Sequence, residues 1–167
     1  MAVSAETVKK LRDLTGAGML DCKKALEETG GELDKAKEIL RKRGIAIAEK
    51  KATQETRQGL VEAYIHPDGR LGALVELNCQ TDFVARTDGF RSLAHNLAMQ
   101  VAATDPQHIA PDELPAGSDG NPEELCLLAQ PFIRDPSRTI QDLINDTIAK
   151  TGENIRVRRF ARFHLGH

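Results

Sequence analysis

Apolar residues near the N-terminus recur at helical spacing, and glycines punctuate them. Val8, Leu11 and Leu14 predict a first helix closed by Gly16. Met19, Cys22, Ala25 and Leu26 form the stripe of a second, with Gly30 and Gly31 as the stop. Leu33, Ala36, Ile39 and Leu40 predict a third, ended by Gly44. Each stripe is too narrow to hold a helix alone, so the three helices within residues 4–44 must pack on one another as a small bundle. Residues 45–58 are polar and helix-prone, which suits a connector.

The period then falls to two. Val61, Ala63 and Ile65 alternate with Glu62 and Tyr64; Leu71, Ala73, Val75 and Leu77 alternate with Gly72, Leu74 and Glu76. Pro67-Asp68-Gly69 between them is a turn, so the pair predicts a hairpin. Phe90, Leu93, Ala94, Leu97 and Val101 hold one face of a long helix that Pro106 ends. Residues 104–124 are rich in Pro, Gly and Asp and predict a mobile surface loop. Thr139 can cap a helix carrying Ile140, Leu143, Ile144 and Ile148, with Gly152 as its C-cap. A strand closes the chain: simple alternation puts Ile155, Val157, Ala161, Phe163 and Leu165 on one face, and Arg156, Arg158, Phe160 and Arg162 on the other. The predicted class is α+β, a helical bundle followed by an antiparallel sheet, hairpin plus C-terminal strand, packed with helices.

The bulk numbers restrict what such a fold could do. With 167 residues, 40% of them apolar and 29% charged, a genuine core is expected. A net charge of -2 gives no electrostatic support for a nucleic-acid partner. No apolar run is long enough to span a membrane, and residues 1–10 carry neither an apolar signal segment nor an Arg-rich presequence. Cys22, Cys79 and Cys126 are far apart and odd in number, which argues against a disulfide framework or zinc site and suits a reducing cytoplasm.

Recognised catalytic patterns are missing. There is no phosphate-cradling glycine motif, no GxSxG and no HExxH, and the five histidines lack metal-ligand spacing. No cofactor is expected. The stretch Thr81-Asp82-Phe83-Val84-Ala85-Arg86 stands out because it lies between the end of strand periodicity and the start of the helical stripe at Phe90. Phe83 can either plug this corner onto the core or project as a wedge beside a carboxylate.

Three blocks carry a family resemblance. Leu11-Arg12 with Thr15-Gly16-Ala17-Gly18-Met19 and Asp21-Cys22-Lys23-Lys24-Ala25-Leu26 resembles the N-terminal signature of the elongation factor Ts family. Val75-Glu76-Leu77-Asn78-Cys79-Gln80-Thr81-Asp82-Phe83-Val84-Ala85-Arg86 resembles its second signature. Gly152-Glu153-Asn154-Ile155 with Arg158-Arg159-Phe160 resembles its C-terminal region. The resemblance implies a guanine-nucleotide exchange factor, not an enzyme, whose partner is elongation factor Tu in its GDP-bound and nucleotide-free states. It implies a three-helix bundle like ubiquitin-associated (UBA) domains at 1–45, a linker at 46–58 and an α+β core at 59–167 that contacts Tu and leaves room for a homodimer. Thr81, Asp82, Phe83 and Val84 match the segment implicated in disturbing the magnesium site of Tu, and Arg12, Met19 and Leu20 match contacts to its nucleotide domain. Many members carry Met where this chain has Leu20, a swap that keeps apolar volume. The chain departs from the family between Leu114 and Gln130, where short members carry a further helical segment and only about fifteen residues stand here.

Three other readings stay open at this level. One is a UBA-like module with an unrelated ligand. Another is an RNA-binding module using Arg156, Arg158, Arg159 and Arg162. The third is a thiol enzyme at Cys79.

Overall fold

A computed structural model describes residues 3–167. The N-terminal segment folds as expected into packed helices, α1 (Ala5–Thr15), α2 (Met19–Glu28) and α3 (Leu33–Lys51). Ser4 caps α1 through its hydroxyl, and Gly16 closes it in the left-handed conformation that glycine adopts freely. Val8, Leu11, Cys22, Ala25, Leu26 and Ala36 form a closed apolar cluster at the centre of the three.

The predicted stop at Gly44 is not one. The helix α3 runs straight through it to Lys51, so seven of the residues expected to be connector are helical. The reason is tertiary. Gly44 is buried against α7 (Ile140–Thr151), and a Cβ built on it would lie 3.8 Å from the Asn145 carbonyl oxygen and 3.9 Å from Ala149 Cβ. A Cβ there would meet α7 at ordinary contact distance, so the crossing has room for a methyl group but not for a longer side chain. Arg41 faces Asp142 at 3.7 Å, and Arg138 pairs with Asp146 along the same junction. Lys150 lies against Gly16 at the C-terminal end of α1, and burial there pushes its ammonium below the ordinary lysine value.

The second cluster is larger. Strands β1 (Gln58–Ile65), β2 (Leu71–Cys79) and β5 (Ile155–His164) form an antiparallel sheet with β2 in the middle. Helices α4 (Asp82–Ala85), α5 (Asp88–Thr104) and α7 belong to the layer on one side of it. Ala73, Val75, Leu77 and Cys79 of β2 meet Phe90, Leu93, Leu97 and Val101 of α5 and Ile140, Ile144 and Ile148 of α7 in one core. Of the two alternating sets in β1, Leu60, Glu62 and Tyr64 face inward, leaving Val61 and Ile65 exposed. The inward Glu62 carboxylate is met by His95 of α5 at 3.1 Å, so it enters with a partner.

Simple alternation fails in β5. The ladder pairs Glu76 with Arg159 but Leu77 with Val157, so Arg158 is an extra residue opposite no partner. Such a bulge reverses which residues face the core beyond it. Ile155 and Val157 point inward before it; Phe160 and Arg162 do so after it, and Ala161 and Phe163 turn outward. Arg162 uses its inward position to donate from Nε to the Ala102 carbonyl at 2.9 Å, near the C-terminal end of α5, where a cation is favoured.

The loop after α5 holds more structure than its composition predicted. His108 and Ile109 accept backbone bonds from Leu127 and Leu128, and Glu113 caps the Ile109 N–H at 3.0 Å. A short turn, α6 (Pro122–Leu125), leads to the small ladder of β3 (Pro131–Phe132) and β4 (Asp135–Thr139). Buried Gln100 of α5 anchors that ladder, donating to the Pro131 carbonyl and accepting from the Ile133 N–H. These long-range bonds are invisible to local composition.

The α3–α7 crossing generates a two-sided prediction. Gly44→Ala leaves ordinary van der Waals distances and should be neutral or stabilise by up to about 1 kcal/mol. Gly44→Leu should destabilise by about 1–3 kcal/mol, because the longer side chain must push α3 from α7. Thermal unfolding of both variants checks this; equal melting temperatures would remove the close-approach explanation.

Candidate functional site

The corner after β2 is built around Thr81. Its hydroxyl caps α4, accepting from the Val84 N–H at 3.4 Å, while donating to Glu153 Oε1 at 2.6 Å. The other Glu153 oxygen accepts from the Gln80 and Thr81 N–H groups at 3.1 and 3.0 Å. The Cys79 thiol donates to the Thr81 carbonyl at 3.1 Å. Below the turn, Ala85 is buried and Val84 packs on the core. Asp82 pairs with Arg86 at 2.9 Å on the surface, an i, i+4 contact worth about 0.3–0.5 kcal/mol.

Phe83 points away from all of this. It is 77% exposed, which excludes the plug reading and leaves the projecting one. Full burial of such a side chain is worth roughly 1.5–3 kcal/mol, so this chain leaves a sizeable apolar contact unmade. Thr81, Asp82, Phe83 and Val84 therefore form one contiguous feature, an apolar tip beside a carboxylate on a backbone fixed from beneath.

Arg12, Met19 and Leu20 form a second feature. Arg12 lies in the last turn of α1, and Met19 and Leu20 open α2 just past the Gly16 turn. Met19 is 51% exposed and Leu20 72%, so Met19 does not belong to the buried stripe its spacing suggested, and Leu14 stays exposed with them. The α4 corner packs on β1, β2 and α5, whereas α1 and α2 pack on each other and on α3. The structure thus presents two separate apolar tips, each on its own scaffold.

Two residues of the corner had no role in the sequence reading. Glu153 appeared there only as part of a C-terminal block, and Gln80 only as part of the second signature. A glutamate directly after a helix-closing glycine was the available signal, but only β2–β5 pairing shows that it reaches the corner.

The rival chemistries lose ground. Arg162 faces the core, Arg159 is tied to Glu76 at 2.7 Å and Arg158 is the bulge residue, so the arginines do not form one stripe. All three cysteines are buried and free, and burial, with the Glu153 charge second, pushes the Cys79 thiol up to about 11. That is the opposite of an activated nucleophile. Among the described residues, no group of three or more His, Cys, Asp or Glu is placed to hold a metal ion. Nor, among those residues, is any helix long and apolar enough to cross a membrane.

Comparison with known proteins places the chain in a family. The family profile described as elongation factor TS matches residues 3–118. The elongation factor Ts of Moorella thermoacetica is 49% identical over 194 aligned positions, covering 98% of this chain and 96% of that protein. That of Coprothermobacter proteolyticus is 48% identical, covering 99% of this chain and all of that one. That of Thermotoga maritima is 47% identical, covering 99% and 98%. An alignment of 194 positions against a chain of 167 residues leaves at least 27 positions of the relative facing a gap.

The thiol shift yields a pH prediction. Raised from 9.0 to about 11, Cys79 favours the folded state fully below 9.0, and that contribution is lost as pH rises toward 11. Stability to urea should therefore fall through this window, and less steeply in Cys79→Ala. In the folded chain at about pH 8, iodoacetamide should leave Cys79 unmodified; rapid alkylation there would contradict the buried, protonated thiol.

Proposed function

Because the chain belongs to the elongation factor Ts family, we propose that it acts in translation elongation as a guanine-nucleotide exchange factor for elongation factor Tu. The observation that carries the proposal is Phe83, 77% exposed beside Asp82 on a corner held rigid from below. In this reading Phe83 inserts between elements of the nucleotide domain of Tu. Asp82, with Thr81 and Val84, disturbs the loop that orders magnesium. With the metal displaced, the diphosphate charge is poorly compensated and GDP leaves faster. Arg12, Met19 and Leu20 supply a second, bundle-borne contact to the nucleotide domain. The divisions 1–45 and 59–167 then act as docking bundle and exchange core, joined through 46–58 by the continuation of α3 and the Gln54 bond rather than by a free tether, with no covalent step and a cytoplasmic setting.

Linkage sets the energetics. A factor that binds empty Tu better than GDP-bound Tu must weaken GDP by the same ratio. Each tenfold loss of nucleotide affinity needs about 1.4 kcal/mol of differential contact. Phe83 alone supplies roughly 1.5–3 kcal/mol on burial, so it must act with other contacts to give a large effect.

A second copy of this chain is the proposed occupant of the outer sheet face. Val61, Ile65, Leu74 and Phe163 are exposed there together, with Ala63 and Ala161 between them. A contiguous apolar face of this kind marks an interaction surface, and a two-fold axis would set the same patch of two copies against each other.

Release of a fluorescent GDP analogue from Tu tests the exchange reading. The parent chain should accelerate release, and Phe83→Ala should lower the accelerated rate by about tenfold or more. Release at the parent rate would remove the wedge. For the sheet face, Ile65→Lys combined with Phe163→Lys should convert a sedimenting dimer to monomer. A parent chain that sediments as a monomer at tens of micromolar would end that proposal.

A further inference from the structure

Antiparallel pairing of β2 with β5 has a local consequence at its open end. The ladder finishes on Cys79 opposite Ile155, so the residues just beyond, 80–81 and 153–154, must lie side by side. Gly152 closes α7 in the left-handed conformation and turns the chain sharply into this position. Glu153 and Asn154 therefore reach the corner from the opposite end of the sequence, more than seventy residues away.

The contacts they make are reciprocal. One Glu153 oxygen bridges the two consecutive N–H groups of Gln80 and Thr81 at 3.1 and 3.0 Å, and the other takes the Thr81 hydroxyl at 2.6 Å. In return the Asn154 N–H donates to Gln80 Oε1 at 2.7 Å. The Asn154 side chain, nearly fully buried, donates to the Gln54 carbonyl at 2.8 Å, so the connector after α3 is held on the same bracket. Bonds to a carboxylate are shorter and stronger than neutral ones, and here one carboxylate serves three donors. The hydroxyl proton committed to Glu153 also leaves the Thr81 lone pairs facing the Val84 N–H, which is the cap of α4.

We propose that Glu153 is a positioning residue for exchange, holding the corner backbone so that Phe83 and Asp82 approach Tu already ordered. The inference rests on the reading that residues 81–84 act on Tu. Phe83 makes little contact within the chain, so its own packing cannot fix where it points; the backbone on which it stands must do so. Loss of the Glu153 bracket leaves the corner to be ordered during the encounter, which slows the committed step more than it weakens docking through the bundle.

The test compares Glu153→Ala, Glu153→Gln and Phe83→Ala in the full chain. Two quantities are read: exchange of the Gln80 and Thr81 amide hydrogens in the free chain, and GDP release from Tu over a range of chain concentrations. In Glu153→Ala both amides should exchange about tenfold faster or more. The maximal release rate should fall about tenfold, with the half-saturating concentration moving less than about threefold. Glu153→Gln should recover most of both, because an amide oxygen can still bridge the two N–H groups and its NH2 can donate to the Thr81 hydroxyl. Freed amides with release at the parent rate, while Phe83→Ala is slow, would overturn the positioning role alone. If Phe83→Ala also releases at the parent rate, the wedge reading and this inference fall together. Should Glu153→Ala not fold, Glu153→Asp decides: its shorter carboxylate cannot span all three donors, and freed amides with an unchanged maximal rate would overturn the proposal.

Discussion

The central strand β2 is the constraint from which the rest of the core follows. It is hydrogen-bonded on both edges, and its inward residues Ala73, Val75, Leu77 and Cys79 are essentially inaccessible to water. A one-residue slip would bring Leu74, Glu76 and Asn78 into the core and expose the others, so register is strongly specified. That register places Cys79 as the last inward residue, and the chain must turn at Thr81 to start the helices that cover the sheet. The position of the exposed Phe83 is thus inherited from the burial of residues four to ten positions before it.

Around this strand, polar groups are used where apolar packing gives no direction. The Glu153 carboxylate fixes the corner, Gln100 holds the β3–β4 ladder to α5, and Arg162 sits at the C-terminal end of α5. Each of these bonds joins elements distant in sequence, and each is partly or wholly shielded from water, where leaving a partner unsatisfied is costly. They specify geometry more than they add stability. The surface pairs, such as Asp82 with Arg86, lack that shielding and contribute little by themselves.

Two apolar clusters are joined by one helix. The bundle core closes on itself around Leu11 and Leu26, and α3 carries it to the second core by packing along α7 at Gly44. The apolar tips at Leu20 and Phe83 are therefore connected through helix packing as well as through the chain. A partner that touches both would read their relative placement, which the α3–α7 crossing sets.

Much of the local architecture was legible in the sequence. The first two helices, the hairpin with its Pro67-Asp68-Gly69 turn, the α5 stripe and the Thr139 and Gly152 caps follow from period, turn chemistry and capping, all decided within a few residues. The signature blocks likewise pointed to the family, and they named the corner at Thr81. What only tertiary structure decided were choices between locally equivalent states. Gly44 ends a helix or sits inside one according to whether another helix lies against it, and here Asn145 and Ala149 do. The face of β1 is ambiguous because both alternating sets carry apolar residues; here Leu60 and Tyr64 pack on the core, and Glu62 stays at its edge with His95. The face of β5 depends on a bulge at Arg158, which no count of alternating residues contains. Phe83 could plug or project from sequence, and it projects because Val84 and Ala85 already occupy the inward side of a single turn whose backbone Glu153 holds. Period and capping are properties of neighbours along the chain; the choice of face, and what a side chain is left to touch, belongs to neighbours in space.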